Sequence, residues 1–419
     1  MTAANPAPPT GPASPAVDLL EDTWARGVPH EQFALLRRED PVHWHEIPEG
    51  HEGFFAVTRY EDIVAVSRDP GLWSVELGSF FVRDQPPEAL DSLALTLIGM
   101  DPPKHSRYRR LVNAGFAPRM IRKLTADIER RAELLADQVG QRVRQGGADV
   151  EFVAELAARL PLQVICEMVG IPAADEDLIF DWSNRMVGFQ DPDFRTTEED
   201  GQIAAAEIYA YCDQLAAARR DGPRDDIISA LVHGEVDGER LSTHEINMFF
   251  VTLCVAGNET TRNLLAHTML TLIEHPRARA ELVAGIDDEE LWASATEEFL
   301  RWNGSIHNFR RTATRDTEIR GVPVKAGQKA VLFYTSGNRD EAVFADPDVL
   351  DLRRDPNDHL AFGGGGPHFC LGAGLARTEI KALTRALLRR FPHVELTGEP
   401  RRMRSDFING IKYLPVRFS

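Results

Sequence analysis

The chain has 419 residues, of which 43% are hydrophobic and 27% are charged, and this composition is typical of a globular protein rather than a disordered one. Its formal net charge of −18 argues against a general nucleic-acid binder, because such proteins use excess positive charge to bind phosphates. The sequence contains no long apolar run that predicts a membrane-spanning helix, and it is long enough to enclose a cofactor or small molecule.

Residues 1–17 are rich in Ala, Pro, Thr and Ser and lack the basic start and apolar stretch of a signal peptide. We therefore expect a disordered tail followed by one domain over residues 18–419, in a cytoplasmic protein. Most of that domain has the apolar spacing of amphipathic helices, and the strand-like segments are 53–58, 313–319, 329–333 and a region near the C-terminus. The pattern predicts a mainly α fold with small β-sheets.

Three of the four cysteines, Cys166, Cys212 and Cys254, lie in helix-like apolar segments and are interpreted as buried small hydrophobes. The sequence has no Cys-x-x-Cys pair, so a tetrahedral zinc site is disfavoured. The fourth, Cys370, differs because it lies in a glycine-rich loop.

One predicted helix is unusually long. Ser242 and Glu245 have the spacing of a capping box, and the apolar segment that follows runs to Glu274, just before Pro276. At 1.5 Å per residue such a helix is roughly 48 Å long and must cross the molecule. Its centre, residues 256–261, is small and polar, which indicates that it faces a ligand there. A solvent-exposed stretch of an amphipathic helix is the alternative.

Residues 362–372 form a glycine-rich loop ahead of a helix predicted over 373–391. Four consecutive glycines allow the backbone to approach a bulky group closely. A phosphate-binding loop would need Lys followed by Ser or Thr at the helix entrance, and this loop has neither there. Cys370 lies at the start of the helix, where the dipole and free amides favour a thiolate. It could be a nucleophile with His368 as its base, a redox thiol or a metal ligand.

Several motifs together resemble the cytochrome P450 family. The loop resembles the family's haem-binding loop at Phe362, Gly366, Pro367, His368, Cys370 and Gly372. Residues 256–260 resemble its oxygen-activating segment, and Glu298 with Arg301 resembles its ExxR pair. Other segments that resemble the family are 101–109, 311–321 and 338–347. These motifs keep the family's order over about residues 20–417, so the resemblance implies the P450 fold, a helix-rich triangular prism with small β-sheets.

The loop departs from the common family pattern in one respect. Phe362 stands eight positions before Cys370, where the family often has seven, so one glycine is inserted. Bacterial P450s that hydroxylate methyl-branched lipids and sterol side chains are similar in this longer loop and in residues 407–412. The resemblance implies a monooxygenase that uses O2 to oxidise a small hydrophobic molecule such as a methyl-branched lipid, terpenoid or sterol. Tailoring oxidation of a polyketide or peptide natural product is the alternative.

The resemblance implies that Cys370 is the axial thiolate ligand of the iron in haem b. It also implies that Glu259 and Thr260 form an acid–alcohol pair that delivers protons, although a salt bridge from Glu259 to Arg262 is the alternative. The other residues expected to contact the haem are His105, Arg109, Ala256, Arg311, His359, Phe362, His368 and Gly372. The basic members of this set would bind the two propionates.

The family pattern also implies a buried charge triad of Glu298, Arg301 and Arg354 that supports the cysteine loop, with Arg353 as the competing third member. Residues 75–98 are expected to cover the substrate pocket and residues 182–197 to form a mobile lid. The residues expected to line the pocket are Phe80, Phe81, Thr252, Val255, Ala256, Ile306, His307, Asn308, Phe407 and Ile408.

The 419 residues contain no reductase domain, so the resemblance implies electrons that pass from NAD(P)H through a ferredoxin reductase and a ferredoxin. Basic residues that cluster within 104–123 predict a docking face for such an acidic partner, with a solvated helix face as the alternative: Lys104, Arg107, Arg110, Arg119, Arg122 and Lys123. We expect a monomer. A peroxide-driven enzyme and a non-catalytic haem carrier or sensor are the rival functions, and the acid–alcohol pair argues against the first.

Overall fold

The computed structural model describes residues 17–48, 51–147, 149–187 and 197–419. Helices dominate this part of the chain. In chain order they are α1 (Glu21–Trp24), α2 (His30–Glu39), α3 (Tyr60–Arg68), α4 (Pro87–Leu93), α5 (Lys104–Asn113), α6 (Pro118–Arg144), α7 (Arg159–Val169), α8 (Glu176–Val187), α9 (Glu198–Asp221), α10 (Ile227–His233), α11 (Thr243–Glu274), α12 (Pro276–Ala284), α13 (Glu289–Asn303), α14 (Tyr334–Gly337) and α15 (Ala373–Arg390).

The strands are short and fall into one five-stranded sheet and several smaller ones. They are β1 (Val42–His45), β2 (Phe54–Val57), β3 (Trp73–Ser74), β4 (Asp149–Glu151), β5 (Glu235–Val236), β6 (Glu239–Arg240), β7 (Asn308–Ala313), β8 (Thr317–Ile319), β9 (Val322–Val324), β10 (Lys329–Phe333), β11 (Val394–Leu396), β12 (Arg401–Arg402), β13 (Ile411–Tyr413) and β14 (Pro415–Phe418). The five-stranded sheet has the order β1-β2-β10-β7-β3, and β2 runs parallel to β10 while the other pairs are antiparallel.

The long helix α11 is the centre of the fold. The Ser242 hydroxyl accepts a hydrogen bond from the Glu245 backbone amide at 3.3 Å, and Glu245 Oε2 accepts one from the Ser242 amide at 2.8 Å. The predicted capping box is therefore confirmed. The helix has 32 residues and ends before Pro276, which begins α12. It packs against α7, α9, α13 and α15, so most of its length is buried.

The strand predicted over residues 313–319 is wrong in its extent. The chain forms β7 up to Ala313, turns, and then pairs β8 with β9 in a separate hairpin. The β7–β10 pairing ends where the Ala313 amide donates to Gln328 O at 3.0 Å and the Gly327 amide donates to Ala313 O at 2.8 Å. The strand predicted over 329–333 is confirmed as β10.

Cys166, Cys212 and Cys254 lie in the apolar core around α11, as the sequence predicts. Burial raises the pKa of Cys166 and of Cys212 to about 12, so both stay as unreactive thiols near neutral pH. None of the helices in the described ranges combines the length and apolarity needed to cross a membrane.

Candidate active site

The glycine-rich loop between Phe362 and Cys370 is built from conformations that other residues cannot adopt easily. Gly363, Gly365 and Gly366 have φ values of 95°, 89° and 77°, which L side chains rarely reach. A Cβ on Gly364 would lie 2.6 Å from Ser67 Oγ at the end of α3. Each of the four positions therefore favours glycine, three because of their backbone conformation and Gly364 because a side chain has no room. The packing against α3 thus helps to shape the loop.

Cys370 lies at the end of this loop, deep in the fold. Its amide donates to Phe362 O at 3.0 Å, and the Phe362 ring packs against the Arg377 guanidinium. Burial raises the pKa of the thiol, while a backbone hydrogen bond at Gly372 and the charges of Arg109 and Arg377 oppose that rise. The side chain is nevertheless accessible. A Cβ on Gly372 would meet no atom within 4 Å, so the backbone just before α15 also has open space beside it.

The middle of α11 has an open face formed by small side chains. Ala256 is exposed and Thr260, one turn later, is partly exposed, although most of this helix is buried. Thr252 and Val255 are also partly exposed here. Gly257 has a different role, because a Cβ there would lie 2.9 Å from Ile165 on α7. The helix thus needs a glycine for packing and presents alanine and threonine to the open space.

Glu259 and Thr260 differ sharply in their surroundings. Burial raises the pKa of Glu259, against the opposing charge of Arg262. One carboxylate oxygen, Oε2, contacts Arg262, whose Nη1 donates to Asn184 on α8 at 2.8 Å. The other, Oε1, is buried without a hydrogen-bond partner among the residues described. The Thr260 hydroxyl donates to Ala256 O at 2.8 Å. The salt bridge to Arg262 is therefore present, but it occupies only one of the two carboxylate oxygens.

A cluster of basic side chains lies beside the cysteine loop. The His105 and His368 rings are 4.3 Å apart, and His105 Nδ1 and His368 Nε2 are buried without partners in the described part of the chain. Burial and the charge of Arg109 lower the pKa of His105 to about 4, and burial and the charge of Arg311 lower that of His368 to about 2. Arg109 Nη1 donates to Pro367 O at 2.7 Å. The cluster is rich in donors and poor in acceptors, so it suits an anionic group.

His359 does not join this cluster, and the expectation that it contacts the cofactor is corrected. Its Nε2 lies 3.1 Å from Glu297 Oε2, and its Nδ1 accepts a hydrogen bond from the Ala361 amide at 3.2 Å. Both ring nitrogens are therefore engaged by the protein. Glu297 also accepts a hydrogen bond from Arg377, so His359 belongs to a network that joins α13 to α15.

The charge triad forms as the sequence pattern implies. Glu298 Oε2 accepts from Arg301 Nε at 2.8 Å and from Arg354 Nε at 3.2 Å, and the carboxylate is fully buried. Arg353 instead pairs with Glu281 at the surface, 2.8 Å away. The structure thus chooses Arg354 over Arg353 as the third member.

Four aromatic rings from three segments of the chain meet in one cluster. The Phe81 and Phe407 centroids are 5.2 Å apart, those of Phe309 and Phe407 5.3 Å, and those of Phe80 and Phe309 5.9 Å. Ile306 pairs with Ile408 through an isolated β-bridge beside them. Phe309, which is partly exposed on β7, was not among the pocket residues predicted from the sequence.

His307 and Asn308 are turned away from this aromatic cluster, which corrects their expected place in the pocket. The His307 ring packs against Trp24 with centroids 3.9 Å apart. Asn308 is fully buried, and its Nδ2 donates to Asp406 O at 2.7 Å. Ile306 and Phe309 are the partly exposed residues of this stretch. The apolar side chains of this stretch are therefore the partly accessible ones, and the polar ones are packed inside the protein.

The predicted lid over residues 182–197 falls largely on 188–196, which lie outside the described residues. Of the basic residues within 104–123, Arg107 pairs with Asp237 and Lys123 with Asp225. The exposed members for which the described chain offers no ion pair are Arg110, Arg119 and Arg122. A groove of about 410 Å³ between α5 and the cysteine loop runs beside Arg110 to His105 and Arg109.

Residues 74–415 match the family model of cytochrome P450. The chain is a cytochrome P450. It is 43% identical over 428 residues to the methyl-branched lipid omega-hydroxylase of Mycobacterium tuberculosis, an alignment that covers 100% of this chain and 98% of that protein. It is 38% identical to the steroid C26-monooxygenase of Rhodococcus jostii, with 95% of this chain and 83% of that protein covered.

The same relationship appears in solved structures. A Mycobacterium marinum cytochrome P450 in complex with pseudoionone superposes with a TM-score of 0.89 at 36% identity, covering 98% of this chain and all of that one. The predicted family and the mainly α P450 fold are therefore confirmed. The protein is a P450 monooxygenase related to methyl-branched lipid and steroid side-chain hydroxylases, and its family implies a haem-thiolate centre.

Proposed function

We propose that this P450 hydroxylates a methyl-branched lipid, or a terpenoid or sterol-like molecule, with electrons from a ferredoxin. The observation that carries the proposal is Cys370, whose sulfur is deep in the fold yet faces open space. Relatives named for methyl-branched lipid and steroid oxidation align over most of the chain, which supports the substrate class.

The residues around Cys370 fit a haem. A thiolate ligand needs a sulfur that the protein leaves accessible, and the open space over Gly372 provides room beside it. The unpartnered nitrogens of His105 and His368 suit propionate oxygens. We assign Cys370 as the metal ligand, and His105, Arg109, Arg311 and His368 as the propionate partners. When bound, the haem supplies reductive activation of O2, in which one oxygen atom enters the substrate and the other becomes water.

The protein's own part in that chemistry is the handling of protons. The raised pKa of Glu259 lets this carboxyl hold a proton more readily than an exposed glutamate. Its Oε1 has no partner to compete for that proton within the described residues. The Thr260 hydroxyl donates to Ala256 O, so its oxygen lone pairs remain free to accept a hydrogen bond on the open face. We assign Glu259 as the proton source and Thr260 as the group that holds the proton-accepting oxygen in place.

The aromatic cluster supports an apolar substrate. Phe80, Phe81, Phe309 and Phe407 exclude water and offer large hydrophobic surfaces. His307 and Asn308 are turned into the protein, so neither offers a hydrogen bond to a substrate. Recognition by shape favours a hydrocarbon-rich lipid over a peptide, whose amides need polar partners.

The kind of electron donor is inferred from the positive charge of one exposed surface. Arg110, Arg119 and Arg122 form an exposed basic surface on α5 and α6, close to the groove that leads to His105 and Arg109. An acidic ferredoxin suits such a surface even though the whole chain has a net charge of −18. Arg107 and Lys123 pair with acidic residues, and the partly buried Lys104 ammonium donates to Ala94 O at 3.2 Å, so the exposed basic surface consists of these three arginines.

Two measurements test the proposal. Purified protein with NADPH, a ferredoxin and its reductase is incubated with a methyl-branched fatty acid and with a straight-chain acid of equal length, and products are identified by mass spectrometry. We expect a hydroxylated product, with the branched acid preferred. We also expect Cys370→Ala to lose the red-shifted band of the reduced CO complex. Retention of that band would remove Cys370 from the metal site, and a lack of product from branched acids and sterols alike would overturn the substrate class.

A further inference from the structure

Residues 78–84, here called the strap, enclose the side chain of a buried arginine. The Arg310 amide donates to Phe80 O at 3.0 Å, and Arg310 Nη1 donates to Asp84 Oδ1 at 2.7 Å. A Cβ on Gly78 would lie 2.1 Å from Arg310 Nη2, so the strap's first residue rests directly on the guanidinium. The strap therefore contacts Arg310 at its beginning, its middle and its end, through Gly78, Phe80 and Asp84.

Asp84 binds a second buried cation. Its Oδ2 accepts a hydrogen bond from Lys329 Nζ at 2.5 Å, and the same ammonium donates to Glu52 O at 3.0 Å. The Lys329 side chain is fully buried and that of Arg310 is 4% exposed, whereas the Asp84 side chain is 44% exposed. One carboxylate thus compensates two cations that have been removed from water. Removal of a partner from such a pair is strongly unfavourable, so this contact holds the end of the strap firmly.

The charge states of the three residues agree with this role. Burial lowers the pKa of Lys329 and of Arg310. The pKa of Asp84 is lowered overall, because hydrogen bonding to Lys329 and the charges of Arg310 and Lys329 outweigh the effect of its burial. Asp84 therefore remains a carboxylate at the pH values at which the protein is handled.

The strap carries two of the pocket aromatics. Phe80 and Phe81 lie between Gly78 and Asp84, and their rings contact Phe309 and Phe407. Just before the strap, the Val75 amide donates to Asp101 Oδ1 at 2.9 Å. The segment that carries Phe80 and Phe81 is thus anchored by Asp101 before it and by Asp84 at its end.

We propose that Asp84 is a positioning residue for substrate selection, because its bonds to Arg310 and Lys329 fix Phe80 and Phe81 against Phe407. This inference rests on the proposed function and deepens it. The fixed rings form a rigid apolar wall, and such a wall selects bulky hydrophobic molecules by shape. Small molecules that do not reach the wall are bound independently of Asp84.

The test compares a small and a bulky nitrogen ligand of the haem iron. Imidazole and clotrimazole are titrated into the purified holoprotein, and each Kd is measured from the absorbance change. In Asp84→Asn we expect the clotrimazole Kd to rise roughly tenfold, while the imidazole Kd stays at its wild-type value. The matched control is Asp62→Asn on α3, which breaks the 2.7 Å ion pair between Asp62 and Arg320. This variant should leave both Kd values unchanged.

A double-mutant cycle distinguishes positioning from general loosening. If Asp84 acts through the ring, Phe81→Ala raises the clotrimazole Kd and Asp84→Asn adds little to that variant. Hydrogen–deuterium exchange of residues 78–84 should also accelerate in Asp84→Asn, a readout that needs no haem. Should Asp84→Asn fail to fold, Lys329→Met removes one buried charge and keeps the bond to Arg310, and it should shift the ratio of the two Kd values in the same direction.

The inference is overturned if folded Asp84→Asn or Lys329→Met keeps the wild-type ratio of the two Kd values. It is equally overturned if the effects of Asp84→Asn and Phe81→Ala are fully additive. Failure of the proposed function looks different, because the wild-type protein would then give no hydroxylated product from branched acids or sterols, or would lack the thiolate-type CO band, whatever the ratio of the two Kd values.

Discussion

Stability of this P450 in acid should depend on a histidine that is buried in its neutral form. His267 lies on α11, and its Nε2 donates to Asn409 O at 3.1 Å. Burial, assisted by the charge of Arg402, lowers its pKa from 6.5 to about 3. The unfolded chain takes up a proton as pH falls through 6.5, whereas the folded protein does not until about pH 3. Stability is therefore complete above pH 6.5 and declines below it.

The size of the loss follows from the difference in pKa. Each pH unit below 6.5 costs about 1.36 kcal/mol per neutral histidine, so His267 alone removes about 2 kcal/mol of unfolding free energy at pH 5.0. His267→Gln keeps a donor for Asn409 O but cannot take up the proton. We expect this variant to lose about 2 kcal/mol less than the wild type between pH 7.5 and pH 5.0.

Urea unfolding at the two pH values, followed by tryptophan fluorescence, measures the difference. The control is His393→Gln, the same substitution at an exposed histidine, which should follow the wild type at both pH values. If His267→Gln shows the same loss between pH 7.5 and pH 5.0 as the wild type, His267 is not held neutral in the folded protein.

Three further predictions concern the site. Thr260→Ala should bind substrate normally but release a larger share of the NADPH electrons as peroxide, whereas Thr252→Ala, which loses a similar hydroxyl bonded to its own helix, should not; equal peroxide yields would remove Thr260 from the mechanism. Glu298→Gln should destabilise the fold by about 3–5 kcal/mol in urea, since it leaves buried arginines without their carboxylate; a loss below 1 kcal/mol contradicts this. Gly364→Ala should lower haem content because of its contact with Ser67, and Ser67→Ala should partly restore it; no restoration would point to a different cause.

Local signals in the sequence were sufficient to predict the long helix α11 and the loop that ends at Cys370. The capping box at Ser242 and the proline after Glu274 act on neighbouring residues, so both ends of α11 could be predicted without knowledge of the fold. The same is true of Cys370, because the glycines and the helix that follows are contiguous with it. The roles assigned to Cys370 and Thr260 remain predictions.

Side-chain direction on β7 could not be predicted. Neighbouring side chains of a strand point to opposite faces, so only one of Asn308 and Phe309 can face the pocket, and nothing local fixes which one. The expectation from the sequence accordingly had Asn308 in place of Phe309, and it also included His307, which precedes the strand. The choice is made by distant partners, among them Trp24, which packs on His307, and Asp406, whose carbonyl binds Asn308.

The ion pairs of Asp84 could not be predicted from the sequence either. Its two partners, Arg310 and Lys329, are more than 200 residues away and come together only because β7 and β10 pair in the same sheet. The same limit applied to His359, whose binding to Glu297 depends on how α13 packs against the loop.

The close approach of Gly364 to Ser67 has a consequence for the order of assembly. The two residues are separated by about 300 positions of chain, yet their contact helps to shape the turn that ends at Cys370. Contacts between such distant segments form late, since a long loop must close first. The turn therefore lacks this support until α3 and the loop have met, and we expect uptake of the prosthetic group to follow that meeting rather than precede it.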